Sequence, residues 1–219
     1  AVVTGRMIDR SIRPLFDGRE RREVKVVVTV LYIDDDNDPD VPAVIGASLA
    51  LATSKIPWNG PVSAVRLGQM PESEEIIINP SYATRESRLT DILVCGQEAS
   101  INMIEAETRE VNEEKVGQFL EKALAEIEKI QAFQRQIVAE IVVAKEKIDI
   151  AEPSAELKSF FESNFKQKLF ESVFQSNDKK KIEELKRQWH NEVAEKYPSQ
   201  SKVVDWFFEQ KTDELVHRE

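Results

Sequence analysis

The sequence predicts an α/β domain followed by a small all-α helical bundle. Six of the seven glycines and seven of the nine prolines lie before residue 100. Apolar runs in this first half are short and rich in β-branched residues, whereas apolar residues in the second half recur every three to four positions. This change of pattern divides the chain into an α/β unit over residues 1–148 and a bundle over residues 149–219.

The first half is predicted to alternate strands with a helix. Residues 24–31 are nearly all apolar, which is typical of a strand that is covered on both faces. The aspartate-rich residues 34–40 end this strand with turn chemistry. Residues 41–54 are rich in alanine and leucine and predict a buried helix that ends before a proline. Two short strands follow at residues 61–67 and 75–78.

A hairpin and a long helix complete the predicted α/β unit. Residues 91–106 contain two apolar segments on either side of a Gly-Gln-Glu turn, which predicts the hairpin. Asn112 is a good helix cap, two glutamates follow it, and apolar residues recur at helical spacing as far as Ile141. A helix directly after a hairpin packs most simply back over the sheet, so residues 1–148 form one unit.

Three amphipathic helices are predicted beyond residue 148. Pro153 is placed in the first turn of the first helix, an Asn177-Asp178 pair caps the second, and Ser201 caps the third. Helices of about 20 residues joined by short turns form a small bundle. Each helix carries one apolar stripe, and the stripes contain Leu157, Phe161, Phe165, Leu169 and Val173, then Ile182, Leu185, Trp189 and Val193, then Val204, Phe207 and Leu215.

Composition excludes several classes of protein. The 219 residues include 41% hydrophobic and 32% charged residues, and no apolar run approaches the roughly 20 residues of a membrane helix. The single cysteine, Cys95, cannot form an internal disulfide, which fits a cytosolic-type compartment. The net charge of −10 argues against a chain that coats nucleic acid over its whole surface. Residues 1–25 nevertheless carry seven basic and four acidic residues, a net charge of +3.

No motif for metal, nucleotide or nucleophilic chemistry is present. The two histidines, His190 and His217, are far apart in the sequence and are expected on helix surfaces, and Cys95 is expected to be a small buried side chain. No glycine-rich loop follows a strand. The aspartates of residues 34–40 could bind a divalent cation, but they lack the glycine and the final glutamate of a calcium loop, so we favour a solvated turn.

The most specific pattern is a ladder of arginines near the start of the chain. Arg6, Arg10 and Arg13 recur every three to four residues and would stack on one face of a helix. Arginine suits bidentate phosphate contacts, so such a ladder can follow the backbone of a polyanion without reading its bases. The alternative is that these arginines satisfy Asp9, Asp17 and neighbouring carbonyl groups within the protein. Arg19, Arg21 and Arg22 are expected to be exposed loop charges.

Residues 6–16, which read RMIDRSIRPLF, resemble the RLIDRPIRPLF run of the bacterial-type polynucleotide phosphorylase family. The sequence departs from the family at Ser11 and Trp58, where the family usually has Pro and Phe. The helical remainder is similar in position and type to the all-helical linker domain of that family. Further segments are similar to the family in the same order, namely DNDPD at residues 36–40, IGASLAL at 45–51, IPWNGPV at 56–62, AVRLG at 64–68, INP at 78–80 and MIEA at 103–106.

The resemblance implies a fold and an activity. It implies that residues 1–148 are the later part of a first RNase PH-like domain with a mixed sheet, and that residues 149–219 are part of the helical linker domain. It also implies that the chain is an internal segment of a cytoplasmic, ring-shaped homotrimer without membrane contact. The parent enzyme would degrade RNA from the 3′ end by phosphorolysis and release nucleoside diphosphates, with inorganic phosphate as co-substrate and Mg²⁺ as cofactor.

The resemblance also bears on the role of this segment. The family's catalytic and phosphate-binding residues lie in the second RNase PH-like domain, so no residue here inherits a catalytic role and Mg²⁺ would bind outside this segment. Arg6, Arg10 and Arg13 become candidate RNA-binding residues, and Asp9 becomes the first candidate for an internal partner. A second hypothesis is that the chain is a stand-alone, non-catalytic RNA-binding or scaffold module.

Overall fold

The computed structural model describes residues 2–20, 22–148, 150–175 and 179–217. The chain divides into two compact units. The first unit comprises Ala1–Asp17 and Arg22–Lys147, and the second comprises Gly18–Arg21 and Ile148–Glu219. The short segment Gly18–Arg21 therefore groups with residues that follow it by more than a hundred positions in the sequence.

The first unit is built on a four-stranded sheet. Strands β1 (Ser63–Gln69), β2 (Ile77–Ile78), β3 (Thr90–Gln97) and β4 (Ser100–Thr108) lie in the order β2-β1-β3-β4. The predicted fold class, α/β followed by helices, is confirmed. Every pair of neighbouring strands is antiparallel, so the sheet is not mixed in the described residues. The predicted hairpin is β3–β4, and a tight turn of this kind can join only antiparallel strands.

Helices cover both faces of the sheet. The helices of this unit are α1 (Val2–Ile12), α2 (Asp40–Ala52), α3 (Tyr82–Glu86) and α4 (Glu113–Ile141). One face, which includes Ala64 and Leu93, packs with α1 and α2. The other face, which includes Val65 and Ile92, packs against Phe119 of α4 and its neighbours. Side chains alternate between faces along a strand, so β1 and β3 are buried on both sides.

Two buried glutamines attach α4 to the sheet. The Gln131 side chain donates to the Pro61 carbonyl at 2.8 Å and accepts from the Glu98 amide at 2.7 Å. Gln134 donates to the Val62 carbonyl at 2.9 Å and to Ser63 Oγ at 2.8 Å. It also accepts from Ser48 Oγ of α2 at 2.8 Å. Buried amides of this kind join one helix to the start of β1, to the β3–β4 turn and to a second helix.

The predicted strand at residues 24–31 is wrong. The segment is without regular secondary structure, and Val27 and Leu31 are 70% and 92% exposed. A strand requires a neighbour whose backbone N–H and C=O groups are free to pair with its own. None of the described residues supplies such a neighbour here, and the apolar composition alone could not reveal that. Only Val24 and Val26 pack against the core of the first unit.

The second unit is a helical bundle around an aromatic core. Its helices are α5 (Ala155–Asn164), α6 (Lys166–Phe174), α7 (Lys179–Lys196) and α8 (Val204–Val216), with a 3-10 turn at Pro198–Gln200. Trp189 is fully buried, and its Nε1 donates to the Val204 carbonyl at 3.0 Å. Around it lie buried Phe161, Phe165, Phe207 and Phe208.

The bundle differs from the sequence-based prediction in its helix ends. The first predicted helix is two helices, α5 and α6, because the chain leaves helical geometry at Phe165. The Asn164 side chain donates to the Phe160 carbonyl and so competes with the regular backbone pattern at this point. Ser201 does not cap α8, which begins after Val203 without a side-chain cap. The predicted cap at residues 177–178 lies outside the described residues.

The buried amide of Gln134 gives a test of this architecture. Replacing Gln134 by Leu removes its bonds to Val62, Ser63 and Ser48 and leaves buried polar groups without partners. We expect the free energy of unfolding of the first unit to fall by about 2–4 kcal/mol. Hydrogen exchange at β1 and β3 amides measures this loss. The control is Gln136→Leu, which changes an exposed residue of the same helix; an equal effect in both variants would contradict the prediction.

Candidate nucleic-acid interface

Helix α1 is held on the first unit by one face. Met7, Ile8, Ser11 and Ile12 are buried, and their spacing places them on the same side of the helix. Thr4 Oγ1 donates to Asp40 Oδ1 at 2.7 Å and joins the helix to the start of α2. The orientation of α1 is therefore fixed by apolar packing and by a side-chain hydrogen bond.

Two side chains satisfy carbonyl groups at the C-terminal end of α1. Trp58 Nε1 donates to the Ile12 carbonyl at 3.0 Å. Asn102 Nδ2 of β4 donates to the Ser11 carbonyl at 2.8 Å. The last carbonyls of a helix have no partner within the helix, so these two bonds stabilise its end. The sequence analysis missed both roles, because the residues are 46 and 91 positions away from their partners.

The opposite face of α1 carries Arg6 and Arg10, and Arg13 follows directly in a 3-10 turn at Arg13–Leu15. All three arginines are exposed, and α-helical spacing places Arg6 and Arg10 about 40° apart around the helix. Within the part of the chain that the structure describes, neither Arg6 nor Arg10 has a carboxylate partner. These two guanidinium groups can therefore contact an anion without first losing an ion pair.

Arg13 differs from the other two arginines because it is paired with Asp9. Its Nη2 lies 2.7 Å and its Nε lies 3.1 Å from Asp9 Oδ1, and both nitrogens also contact Oδ2. The hydrogen bond from Arg13 to Asp9, together with their opposite charges, raises the pKa of Arg13. The side chains of Arg13 and Asp9 are 75% and 50% exposed, so water and salt screen the pair strongly. The internal ion pair that the sequence analysis raised as an alternative is therefore present at Arg13, whereas the described residues show no such pair at Arg6 or Arg10.

Two arginines that follow α1, Arg19 and Arg22, form ion pairs. Arg19 forms an ion pair with Glu152, and its guanidinium carbon lies 4.6 Å from the centre of the Trp206 ring. The Arg19 side chain is only 18% exposed, which contradicts the expectation of an exposed loop residue. Arg22 is an exposed loop residue as expected, and its Nη1 lies 3.0 Å from Glu146 Oε2. Arg21 lies outside the described residues.

A second charged cluster is largely buried near the start of α2. Arg66 of β1 donates through Nη1 to both oxygens of Asp91 on β3 at 3.1 Å. Its Nη2 lies 3.3 Å from Asp40 Oδ2 and 3.4 Å from Asp38 Oδ2. The prediction of a solvated turn is therefore wrong for Asp38 and Asp40, whose side chains are only 14% and 16% exposed. It holds for Asp34, which is exposed and accepts from the amides of residues 36 and 37.

Two more arginines complete this cluster. Arg85 is paired with Asp38 and with Asp91, and Arg88 Nη2 lies 2.7 Å from Asp91 Oδ2. Arg66, Arg85 and Arg88 thus face Asp38, Asp40 and Asp91, and Arg88 Nη2 also lies 3.2 Å from Oε2 of the exposed Glu107. The cluster has no net positive charge to offer a polyanion, so we assign it to the stability of the fold. The sequence signal for this cluster was Arg66 itself, a charged residue within an otherwise apolar strand.

The charged cluster makes stability depend on pH. Burial alone would raise the pKa of Asp38, but the Asp40 amide and the guanidiniums of Arg85 and Arg66 outweigh it and lower the pKa from 3.8. A lowered pKa means that ionised Asp38 stabilises the fold at pH values above 3.8, and that this contribution disappears as the pH falls through the lowered pKa.

We therefore expect Asp38→Asn to destabilise the first unit near neutral pH, and we expect its difference from the wild type to shrink below pH 3.8. Chemical denaturation between about pH 7 and pH 2 measures the difference. Asp35→Asn, at an exposed position of the same loop, is the matched control. A difference for Asp38→Asn that is constant over the whole pH range would refute this assignment.

The other reactive residues do not form a site. Cys95 is fully buried, and burial raises the pKa of its thiol to about 11. His190 Nε2 lies 2.9 Å from Asp205 Oδ1 on the surface of the bundle. Among the described residues, no three His, Cys, Asp or Glu side chains form a group that could hold a metal ion. No helix in the same residues is long and apolar enough to cross a membrane.

The chain is similar to known RNA-processing proteins. Residues 1–57 match the family model described as the 3′ exoribonuclease family, domain 1. A polyribonucleotide nucleotidyltransferase from Macrococcus caseolyticus is 35% identical over 219 residues, which is 100% of this chain and 31% of that protein. One from Streptococcus suis is 44% identical over 150 residues, which is 68% of this chain and 20% of that protein. The crystal structure of rice (Oryza sativa) Rrp46 covers 49% of this chain and 51% of that one, with a TM-score of 0.44 and 18% identity.

These matches confirm the resemblance on which the sequence analysis rested. The first 57 residues are similar to exoribonucleases of the RNase PH type. Over its full length, the chain is similar to polyribonucleotide nucleotidyltransferases in particular. The chain spans about a third of the length of the curated relatives that it matches, or less.

Proposed function

We propose that the protein is a polyribonucleotide nucleotidyltransferase that degrades RNA from its 3′ end by phosphorolysis and releases nucleoside diphosphates. Within it, the 219 residues would form a structural, RNA-guiding and non-catalytic segment. The names of the relatives support the activity, and the exposed arginines of α1 support the RNA-guiding role. The alternative is a stand-alone RNA-binding or scaffold module. Such a module would share the exposed surface formed by Arg6, Arg10 and Arg13, the arginine face, but would lack the activity.

The observation that carries the RNA-guiding role is that the guanidiniums of Arg6 and Arg10 are exposed and have no carboxylate partner among the described residues. They stand on a helix whose other face is buried and whose last carbonyls are held by Trp58 and Asn102. A rigid support reduces the loss of conformational freedom when a phosphate binds. Guanidinium contacts to phosphate position a strand without regard to its sequence, as an enzyme that degrades RNA of any sequence requires.

Other features of the proposal follow from the resemblance. We propose residues 1–148 as part of a first RNase PH-like domain and residues 149–219 as part of an all-helical linker domain. A cytoplasmic homotrimer, inorganic phosphate as co-substrate and Mg²⁺ as cofactor belong to the same proposal. The described residues contain no cluster that fits a metal ion, so we assign no step through Mg²⁺ to this chain.

The activity is tested with poly(A), magnesium and inorganic phosphate. The polypeptide that the gene encodes in full should release ADP, and omission of phosphate should abolish the release, because phosphate is the attacking group. Residues 1–219 alone should release none, because they are proposed to carry no catalytic residue. Chromatography of the products measures both results. Release of AMP without phosphate, or of ADP by residues 1–219, would contradict the proposal.

The RNA-guiding role is tested by replacing Arg6 and Arg10 with Gln in the full gene product. Each phosphate contact on a single strand contributes about 0.7 to the slope of log affinity against log salt, so the slope should flatten by up to about 1.4. Affinity should fall roughly tenfold, and similarly for poly(A) and poly(U). Fluorescence anisotropy at several salt concentrations measures both quantities.

The matched control replaces Arg109 and Arg187, two exposed arginines, with Gln. It changes the net charge equally and should leave affinity and slope nearly unchanged. Circular dichroism must first show that both variants are folded. If the Arg6 and Arg10 variant keeps the affinity and the salt slope of the parent, the RNA-guiding role is wrong.

A further inference from the structure

The ion pair between Asp9 and Arg13 lies on the same exposed face as Arg6 and Arg10. Arg13 turns one edge of its guanidinium, formed by Nε and Nη2, toward both oxygens of Asp9, at distances from 2.7 to 3.2 Å. This edge is one of the two through which a guanidinium can hold a phosphate in a bidentate contact, and its Nη2 belongs to both edges. Asp9 therefore occupies one of the positions that an RNA phosphate would take on Arg13.

We infer that Asp9 competes with RNA for Arg13 and thereby limits the affinity of the arginine face. This inference rests on the proposed function, because it concerns the same face and the same ligand. A phosphate must either displace the carboxylate from Arg13 or share the guanidinium with it.

Geometry separates Arg13 from the rest of the ladder. Asp9 is the only acidic residue of α1, and in the described structure it contacts Arg13 and neither Arg6 nor Arg10. Its removal should therefore act through Arg13 alone. Because the Asp9–Arg13 pair is largely exposed, its carboxylate can be displaced readily, and Asp9 weakens binding without abolishing it.

The expected effect is modest and has two parts. Exposed ion pairs are weak, so freeing Arg13 should raise RNA affinity by roughly two- to fivefold. A freed Arg13 can neutralise one further phosphate, so the slope of log affinity against log salt should steepen by about 0.7 for a single strand. An RNA strand can move along the arginine face only if its contacts break easily. Competition by Asp9 for Arg13 would weaken one such contact and so assist this movement.

The experiment is a double-mutant cycle in the full gene product. Asp9→Asn, Arg13→Gln and the combined variant are compared with the parent by anisotropy, using labelled single-stranded poly(A) and a series of salt concentrations. Asp9→Asn should raise the affinity and steepen the slope in the parent, and it should have no such effect when Arg13 is already Gln. Circular dichroism checks the fold, which should persist because both side chains are exposed.

The control for net charge is Glu72→Gln. Glu72 is exposed, and in the part of the chain that the structure describes it has no cationic partner. This substitution removes one negative charge without freeing an arginine. It should therefore leave the RNA affinity and the slope of log affinity against log salt unchanged. If Glu72→Gln raises affinity as much as Asp9→Asn, or if the gain from Asp9→Asn persists without Arg13, general electrostatics explains the effect and the inference is wrong.

The Arg6 and Arg10 double variant separates this inference from the proposed function. If that variant loses affinity while Asp9→Asn changes nothing, the RNA-guiding role stands and the competition by Asp9 is overturned. If neither variant changes affinity, the face does not bind RNA and both ideas are wrong.

Discussion

The buried amides of Gln131 and Gln134 are the interactions on which the first unit most depends. They lie on α4, and between them they bind the start of β1, the β3–β4 turn and, through Ser48, helix α2. Apolar packing alone would allow a long helix to slide or rotate over a sheet, because the hydrophobic effect is not directional. Hydrogen bonds with fixed partners remove that freedom. The register of α4 on one face of the sheet and the position of α2 on the other are thereby coupled.

The arginine face depends on this framework through α2 and β4. Helix α1 packs on α2, Thr4 bonds to Asp40 at the start of α2, and Asn102 of β4 holds the end of α1. The outward direction of Arg6 and Arg10 thus follows from polar contacts made on the opposite side of the same helix. A shift of α2 would reorient α1 and with it Arg6 and Arg10. Substitution of these exposed arginines would leave the framework intact.

The sequence predicted the helices and the hairpin well, because their periodicity and caps are local signals. Asn112 caps α4 as expected, since its side chain accepts from the Lys115 amide. The sequence-based predictions were wrong where the structure of a segment depends on residues that are distant in the sequence. Residues 24–31 have the composition of a strand, yet no described neighbour pairs with them. Asp38 and Asp40 were expected in a solvated turn, but Arg66 contacts both, and the position of Arg66 depends on the strand register. The exposed arginines could be predicted, and the pairing of Arg13 with Asp9 was one alternative, but the pairing of Arg19 with Glu152, 133 positions away, was not foreseen.

The contrast between Arg66 and Arg6 shows why burial decides what an arginine can do. A buried guanidinium must be neutralised, because an unpaired charge is very costly away from water, and Arg66 accordingly contacts three carboxylates. An exposed guanidinium is solvated and needs no partner, so Arg6 and Arg10 retain their charge for a ligand. Within the basic first 25 residues, Arg13, Arg19 and Arg22 are each paired. Salt screens exposed charges beyond about 8 Å. A polyanion near α1 therefore responds to the guanidiniums of Arg6 and Arg10, which have no carboxylate partner among the described residues, more than to the overall charge of −10. An acidic protein can in this way present a small cationic surface.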